Sequence, residues 1–153
     1  MSKSLKRVAA ALEAAGLESE IRKVGAARSA AEAAQAVGCE IDQIAKSIIF
    51  AMHGQAVLFL TAGSNLVDAE KAVAVAGGLL TRADATLIRA QTGFAIGGVA
   101  PLGHLNPIRA WIDPRLLDFA EIWAAAGTPR HVFALSPADL VRVTMAQVAD
   151  FTC

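Results

Sequence analysis

Gly93-Phe94-Ala95-Ile96-Gly97-Gly98-Val99-Ala100-Pro101-Leu102-Gly103 sets four glycines and one proline into a segment otherwise apolar enough to be a buried strand. A glycine loses more conformational freedom on folding than an alanine does. Such a cluster therefore implies left-handed backbone angles or the close approach of another molecule. Pro101 fixes one φ angle and removes one donor, which leaves the amides of Gly97, Gly98, Val99 and Ala100 as inward-pointing donors for a ligand. The same pattern also describes a β-bulge and turn at a sheet edge.

Working outward from this loop, Asp84 is an N-cap for a helix over Ala85–Gln91, and Asp68–Ala76 closed by Gly77-Gly78 is another. Ile48–Met52 and Ala56–Thr61 are rich in β-formers and flank His53-Gly54-Gln55, which predicts an antiparallel hairpin. Further upstream, Leu5, Val8 and Leu12 share one helical face that stops at Gly16, and a short extended piece covers Ile21–Val24. Ser29 and Glu32 have capping-box spacing ahead of an alanine-rich helix ending near Gly38, and one more helical turn over Ile41–Ala45 delivers Lys46 to a strand. Downstream, Ala110–Ile112, Ile122–Ala125 and His131–Leu135 read as strands. Ser136-Pro137-x-Asp139 then opens a helix with a cap, a proline at its first position and a carboxylate in its first turn. Strands and helices interleave, yet several strand connections are hairpin-short, so the expected fold is α/β with a mixed, largely antiparallel sheet. There is no internal repeat, and one domain over residues 1–153 is expected.

Charge narrows the function. Fourteen basic residues face fourteen acidic ones, balanced on both sides of Leu80, so no basic tail exists to wrap duplex nucleic acid. With no helix-turn-helix pattern either, sequence-specific DNA is not an expected partner, whereas a small nucleic-acid footprint is permitted. Mean hydropathy is +0.48, but much of it comes from alanine. The uncharged run Ala90–Ile108 carries glycines, two prolines, Gln91, His104 and Asn106, which a lipid-exposed helix would not tolerate. No cleavable apolar leader is visible, so a cytoplasmic protein without membrane contact is expected. Cys39 and Cys153 have no metal-ligand spacing and His53, His104 and His131 are scattered, so neither metal nor other cofactor is expected.

Three blocks carry a family resemblance. Ala45-Lys46-Ser47-Ile48-Ile49-Phe50, then Thr92-Gly93-Phe94-x-Ile96-Gly97-Gly98-Val99-x-Pro101-x-Gly103, then Leu135-Ser136-Pro137-Ala138-Asp139-Leu140 resemble, in order, the YbaK/ProX-like family. Its members are freestanding relatives of the editing domain of bacterial prolyl-tRNA synthetase, and the likeness runs from about Leu5 to Asp150. It implies a curved mixed sheet with helices around it and a deacylase acting on the ester of mischarged tRNA. The acceptor end of aminoacyl-tRNA is then the partner, with an aminoacyl-tRNA synthetase as a second one.

Lys46 is the only charge between Asp42 and Asp68, set among apolar residues. On residue type alone it is a lysine snorkelling from the core edge. Matched to the family's lysine, it binds the phosphate or the ester region of the terminal adenosine. No side-chain nucleophile stands out. Gly63-Ser64-Asn65 lacks the second glycine of a nucleophile elbow, Ser136 caps a helix, and Cys39 follows a helix-ending glycine. An aminoacyl ester is already activated and carries a neighbouring ribose hydroxyl. Water held by the amides of Gly97, Gly98, Val99 and Ala100 is therefore the expected attacking group, with Pro101 shaping the loop. Candidates for the amino-acid pocket are Phe50, Thr61, Ser64, Asn65, His131 and Phe133, each with a competing reading as a core or turn residue. Cysteine-specific members carry arginine followed by glycine where this chain has Arg130-His131-Val132-Phe133. That departure favours alanine, serine, threonine or 2-aminobutyrate over cysteine. The rival reading is a non-catalytic module of the same fold that holds a nucleotide, a tRNA end or a synthetase.

Overall fold

The computed structural model describes residues 2–153. Its organising element is a long hairpin. Strands β2 (Ile44–Met52) and β3 (Gln55–Ala62) pair along their whole length, from Ala45 opposite Ala62 to Met52 opposite Gln55. The two residues between them, His53 (φ 53°) and Gly54 (φ 77°), both adopt left-handed angles, the geometry whose twist matches a two-residue hairpin.

The remaining strands extend this hairpin into one mixed sheet. They are β1 (Arg22–Lys23), β4 (Thr81–Arg82), β5 (Arg109–Ile112), β6 (Ile122–Ala125), β7 (His131–Leu135) and β8 (Gln147–Val148). The spatial order is β1-β7-β6-β2-β3-β5-β8, with β4 also on β2. Four pairings are antiparallel and three, β2 with β6, β3 with β5 and β5 with β8, are parallel. The expected mixed, largely antiparallel α/β architecture is the one observed.

Five helices cover the sheet: α1 (Lys3–Ala14), α2 (Ala30–Val37), α3 (Ala69–Ala76), α4 (Ala85–Thr92) and α5 (Pro137–Thr144). Side-chain caps explain each start. Ser2, Ser29, Asp68, Asp84 and Ser136 all accept an amide hydrogen from the first turn of the helix they precede. The capping box at Ser29 is only half formed, because the Glu32 carboxylate takes the Arg28 amide rather than that of Ser29.

Strand alternation sends Ala45, Ala51, Leu58 and Leu60 to the main core, where Leu5, Val8 and Leu12 of α1, Leu140 of α5 and the loop residues Phe94, Val99, Ala100 and Leu102 meet them. The opposite face carries Phe59 stacked on Trp111 at 4.9 Å, closed by Phe151 and α3. A third cluster packs Ala33 and Ala34 of α2 on Ile44, Trp123 and Val132. Each large side chain buried in this way contributes about 1.5–3 kcal/mol.

One local expectation shifts. The helical turn before Lys46 ends at Gln43, and the strand begins at Ile44, where Ile44 and Ala45 pair with Trp123 and Ala124 of β6. Lys46 is thus the third residue of β2 rather than its first. The segment after Asp113 is a 3-10 turn over Pro114–Asp118.

Candidate functional site

The outer edge of β2 is incompletely paired. Ile44 and Ala45 bond to β6, and Phe50 and Ala51 bond to β4, which leaves Lys46, Ser47, Ile48 and Ile49 with no strand on that side among the described residues. Backbone polar groups along such a run alternate in direction, so half of them point into the gap. A cavity of about 320 Å³ opens there, walled by Lys46, Ser47 and Ile48 of β2, Ala124 and Ala125 of β6, and His131 and Val132 of β7. Gly97 and Val99 of the glycine loop form part of the same wall, with Thr128 and Pro129.

The loop is held from several sides. The Arg7 guanidinium of α1 donates to the Gly93 carbonyl at 3.0 Å and lies over the Phe94 ring. His104 Nε2 lies 2.7 Å from the Ala100 carbonyl, so it carries the proton, and burial pushes the histidine below its ordinary pKa. Gly98 has no room for a side chain: a Cβ there would stand 2.6 Å from Thr128 Cα. The Gly98 amide closes a turn on the Ala95 carbonyl at 3.2 Å. It is therefore not free for a ligand, a correction to the expectation of four spare donors. The amides of Gly97, Val99 and Ala100 have no protein acceptor among the described residues. Of these, Gly97 (φ 92°) and Val99 line the cavity, whereas Ala100 is wholly buried.

Lys46 enters from the strand edge, and its Nζ donates to the Asn65 carbonyl at 2.6 Å. Burial lowers its pKa, while Asp42 and Asp113 oppose that fall. His131 shares its Nδ1 with the Thr128 hydroxyl at 2.6 Å, and the same hydroxyl accepts from the Arg130 amide. Ser47, which the sequence did not single out, places a buried hydroxyl with no protein partner in this region. Its sequence signal was its place beside Lys46 in the first of the three resemblance blocks.

Lys46, Gly97, Val99 and His131 thus meet at one cavity, and the other candidates lie elsewhere. Phe50 lies about 13 Å along β2 from Lys46, edge-on to Phe59 in the second core. Thr61 is the cross-strand partner of Lys46 but is wholly buried, its hydroxyl on the Phe59 carbonyl. Phe133 is wholly buried in the main core. Pro101 is buried and borders a different hollow, of about 700 Å³, which Lys46 does not reach. Ser64 and Asn65 sit on the turn after β3, Ser64 bonded to Asp42 and Asn65 to Asp113.

Arg28 lines the cavity, and more basic residues lie on and beside β1, which pairs with the cavity-lining strand β7. Arg22 and Lys23 on β1, Arg28 and Arg130 are exposed, and none has a carboxylate partner among the described residues. The β1 segment is joined to Arg130 by a 2.7 Å bond from the Val24 amide, which brings these charges to one edge. Cys39 is not among the residues that line the cavity, and burial, Glu121 and Glu40 push its thiol up. Among the described residues, no group of three or more His, Cys, Asp or Glu is placed to hold a metal, and no helix is long and apolar enough to cross a membrane.

A gapped mixed sheet in which a strand lysine and a glycine-rich loop line one cavity defines a YbaK-like freestanding editing domain. The chain belongs to the aminoacyl-tRNA editing domain family, whose model matches residues 24–143. A solved structure described provisionally as a trans-editing enzyme for prolyl tRNA synthetase is 45% identical, with a TM-score of 0.95 over 100% of this chain and 99% of that one. A second, from work on epitope backbone grafting onto scaffold proteins, is 44% identical with the same TM-score and coverage. The protein YwhH of Bacillus subtilis (strain 168) is 28% identical over 123 residues, 80% of this chain and 78% of YwhH.

Proposed function

We propose that this protein is a trans-acting aminoacyl-tRNA deacylase that removes a small non-cognate amino acid by water attack, without a side-chain nucleophile. The observation that carries the reading is that Lys46 and the unpartnered amides of Gly97 and Val99 belong to the lining of one small cavity. The volume, near the lower end of the ~300–1,000 Å³ typical of ligand pockets, suits a short side chain on a terminal ribose. Arg28 in the cavity lining, with the exposed Arg22, Lys23 and Arg130 beside β7, suits the phosphates of an acceptor end, even though the chain as a whole is neutral.

In this mechanism the water oxygen bonds to the ester carbonyl carbon. The carbonyl oxygen becomes an oxyanion that the Gly97 and Val99 amides stabilise, and collapse breaks the bond to the ribose oxygen. The free amino acid departs, and the ribose oxygen takes up a proton. Lys46 holds the phosphate or the ester region throughout. Ser47 has no base hydrogen-bonded to it among the described residues, so its hydroxyl acts here as a hydrogen-bonding group and not as a nucleophile. The neighbouring ribose hydroxyl orients the water or shuttles the proton. Editing of this kind is needed because one methylene is worth only ~1–3 kcal/mol of discrimination in a synthetase pocket.

The test is a deacylation panel of tRNAs charged with alanine, serine, threonine, cysteine, 2-aminobutyrate and proline. Turnover of a small non-cognate ester is expected, and binding without turnover of any member would leave a non-catalytic module instead. On the best substrate, replacing the neighbouring hydroxyl of the terminal adenosine by hydrogen is expected to slow hydrolysis far more than Cys39→Ala or Ser136→Ala. Those substitutions should stay within about tenfold, against the ~10⁴-fold or larger loss on removing a true nucleophile. Activity should also survive a chelator. Loss in EDTA with recovery on adding zinc would replace this mechanism with a metal-assisted one.

A further inference from the structure

We propose that the turn Ala62–Asn65, clamped by the carboxylates of Asp42 and Asp113, is the positioning device for Lys46, so that Asp42, Asn65 and Asp113 act on the reaction through it. The proposal rests on the reading of Lys46 as a working group and assigns the residues that make it one.

The turn is fixed at each residue. Gly63 admits no other residue without backbone movement, since a Cβ there would collide with the Ile41 carbonyl oxygen. Asp113, 2% exposed, accepts from the Ala62 amide at 3.1 Å and from the Asn65 side-chain amide at 2.8 Å through one oxygen. Its other oxygen takes the Arg115 amide at 3.0 Å. Asp42 accepts from the Ser64 amide at 2.9 Å and from the Ser64 hydroxyl. Arg115 Nε donates to Asp42 at 3.0 Å, so one residue ties the two carboxylates together. The main chain held in this way presents the Asn65 carbonyl to Lys46, whose Nζ sits on it at 2.6 Å.

The clamp therefore does two things to the lysine. It holds the end of a side chain that has four rotatable bonds, and it places two negative charges near an ammonium that burial disfavours. The charged and titratable groups around Lys46 are Asp42 before β2, Asp113 after β5, Arg115 bridging them, and Arg28 and His131 across the cavity. Only the two carboxylates favour the charged lysine. Neutralising either one lowers the pKa of Lys46, and the alkaline limb of activity moves to lower pH.

The test uses Asn65→Ala in the full chain, with Asp42→Asn as the second variant. Asp42 is nearer the surface, and its replacement leaves the buried Asp113 in place. Two readouts are taken: kcat on the best substrate of the panel, and the Lys46 titration followed by NMR on protein carrying ¹³Cε-labelled lysine, with Lys46→Ala identifying the signal. Asn65→Ala is expected to lower kcat about 10- to 100-fold, the scale set by misplacing a reacting group by about 1 Å. Asp42→Asn is expected to shift both the Lys46 titration and the alkaline limb of kcat/KM downward together. Folded variants with wild-type kcat and an unmoved Lys46 titration overturn the clamp. If Lys46→Ala itself deacylates normally, the catalytic reading fails, and the NMR titration still reports whether the clamp exists.

Discussion

Lys46→Ala is expected to reduce deacylation of the best substrate by at least about 100-fold, the usual scale for deleting one electrostatic contact to a developing charge. The fold should survive. The β2–β3 register is set by eight residue pairs and by cores on both faces, and Lys46 contributes only its stem and one hydrogen bond to a turn that Asp42 and Asp113 hold independently. Substrate binding should weaken as well, because among the described residues Lys46 is the one lysine or arginine that a strand contributes to the cavity lining. Lys46→Arg should not rescue, since a planar guanidinium needs more room than the compact ammonium at a 2.6 Å contact. Turnover within twofold of wild type, with an unchanged melting curve, would remove Lys46 from the mechanism.

Gly98→Ala is expected to do comparable damage by another route. The added methyl would meet the Thr128 backbone at 2.6 to 2.9 Å, and backbone cannot swing aside as the end of a flexible side chain can. Either the loop or the Thr128 segment must retreat, at a cost of about 1–3 kcal/mol in stability, as for other overpacked sites. Retreat of the loop carries the Gly97 and Val99 amides away from the cavity, and a 1 Å displacement is worth about 100-fold in rate. Gly97→Ala is the informative comparison. Its methyl would have space, with Pro129 3.9 Å away, but the φ of 92° strains any side chain, so that variant separates strain from collision. Gly98→Ala with wild-type kcat and melting temperature would show that the loop does not need its contact with Thr128.

The sequence made the hairpin, the helix starts and the glycine loop readable because each is written locally, in a two-residue left-handed turn, a capping side chain, or a run of small residues. Strands β4 and β8 were not readable. At two residues each they show no periodicity, and they exist only because β2 and β5 offer them an edge. The early start of β2 at Ile44 was hidden for a related reason, since its partner β6 is parallel and arrives much later in the chain. At the site, Lys46 was legible as a lone charge in an apolar stretch. The clamp was not, because Asp42 and Arg115 are 73 positions apart and neither sits in a motif. Phe50, Thr61 and Phe133 were read as pocket residues from the sequence, whereas distance along β2 removes Phe50, complete burial removes Thr61, and the main core takes Phe133.

That gap also bears on how the protein keeps to itself. Unpaired strand edges invite other chains to add a strand, the usual beginning of sheet-to-sheet aggregation. Here the open stretch is only Lys46–Ile49, about 13 Å long, with β6 closing one end and β4 the other. A neighbouring polypeptide has too short a landing to zip onto, and the charge of Lys46 marks the approach. So short an edge gives an added strand few backbone groups to pair with, which is one way a sheet blunts strand addition.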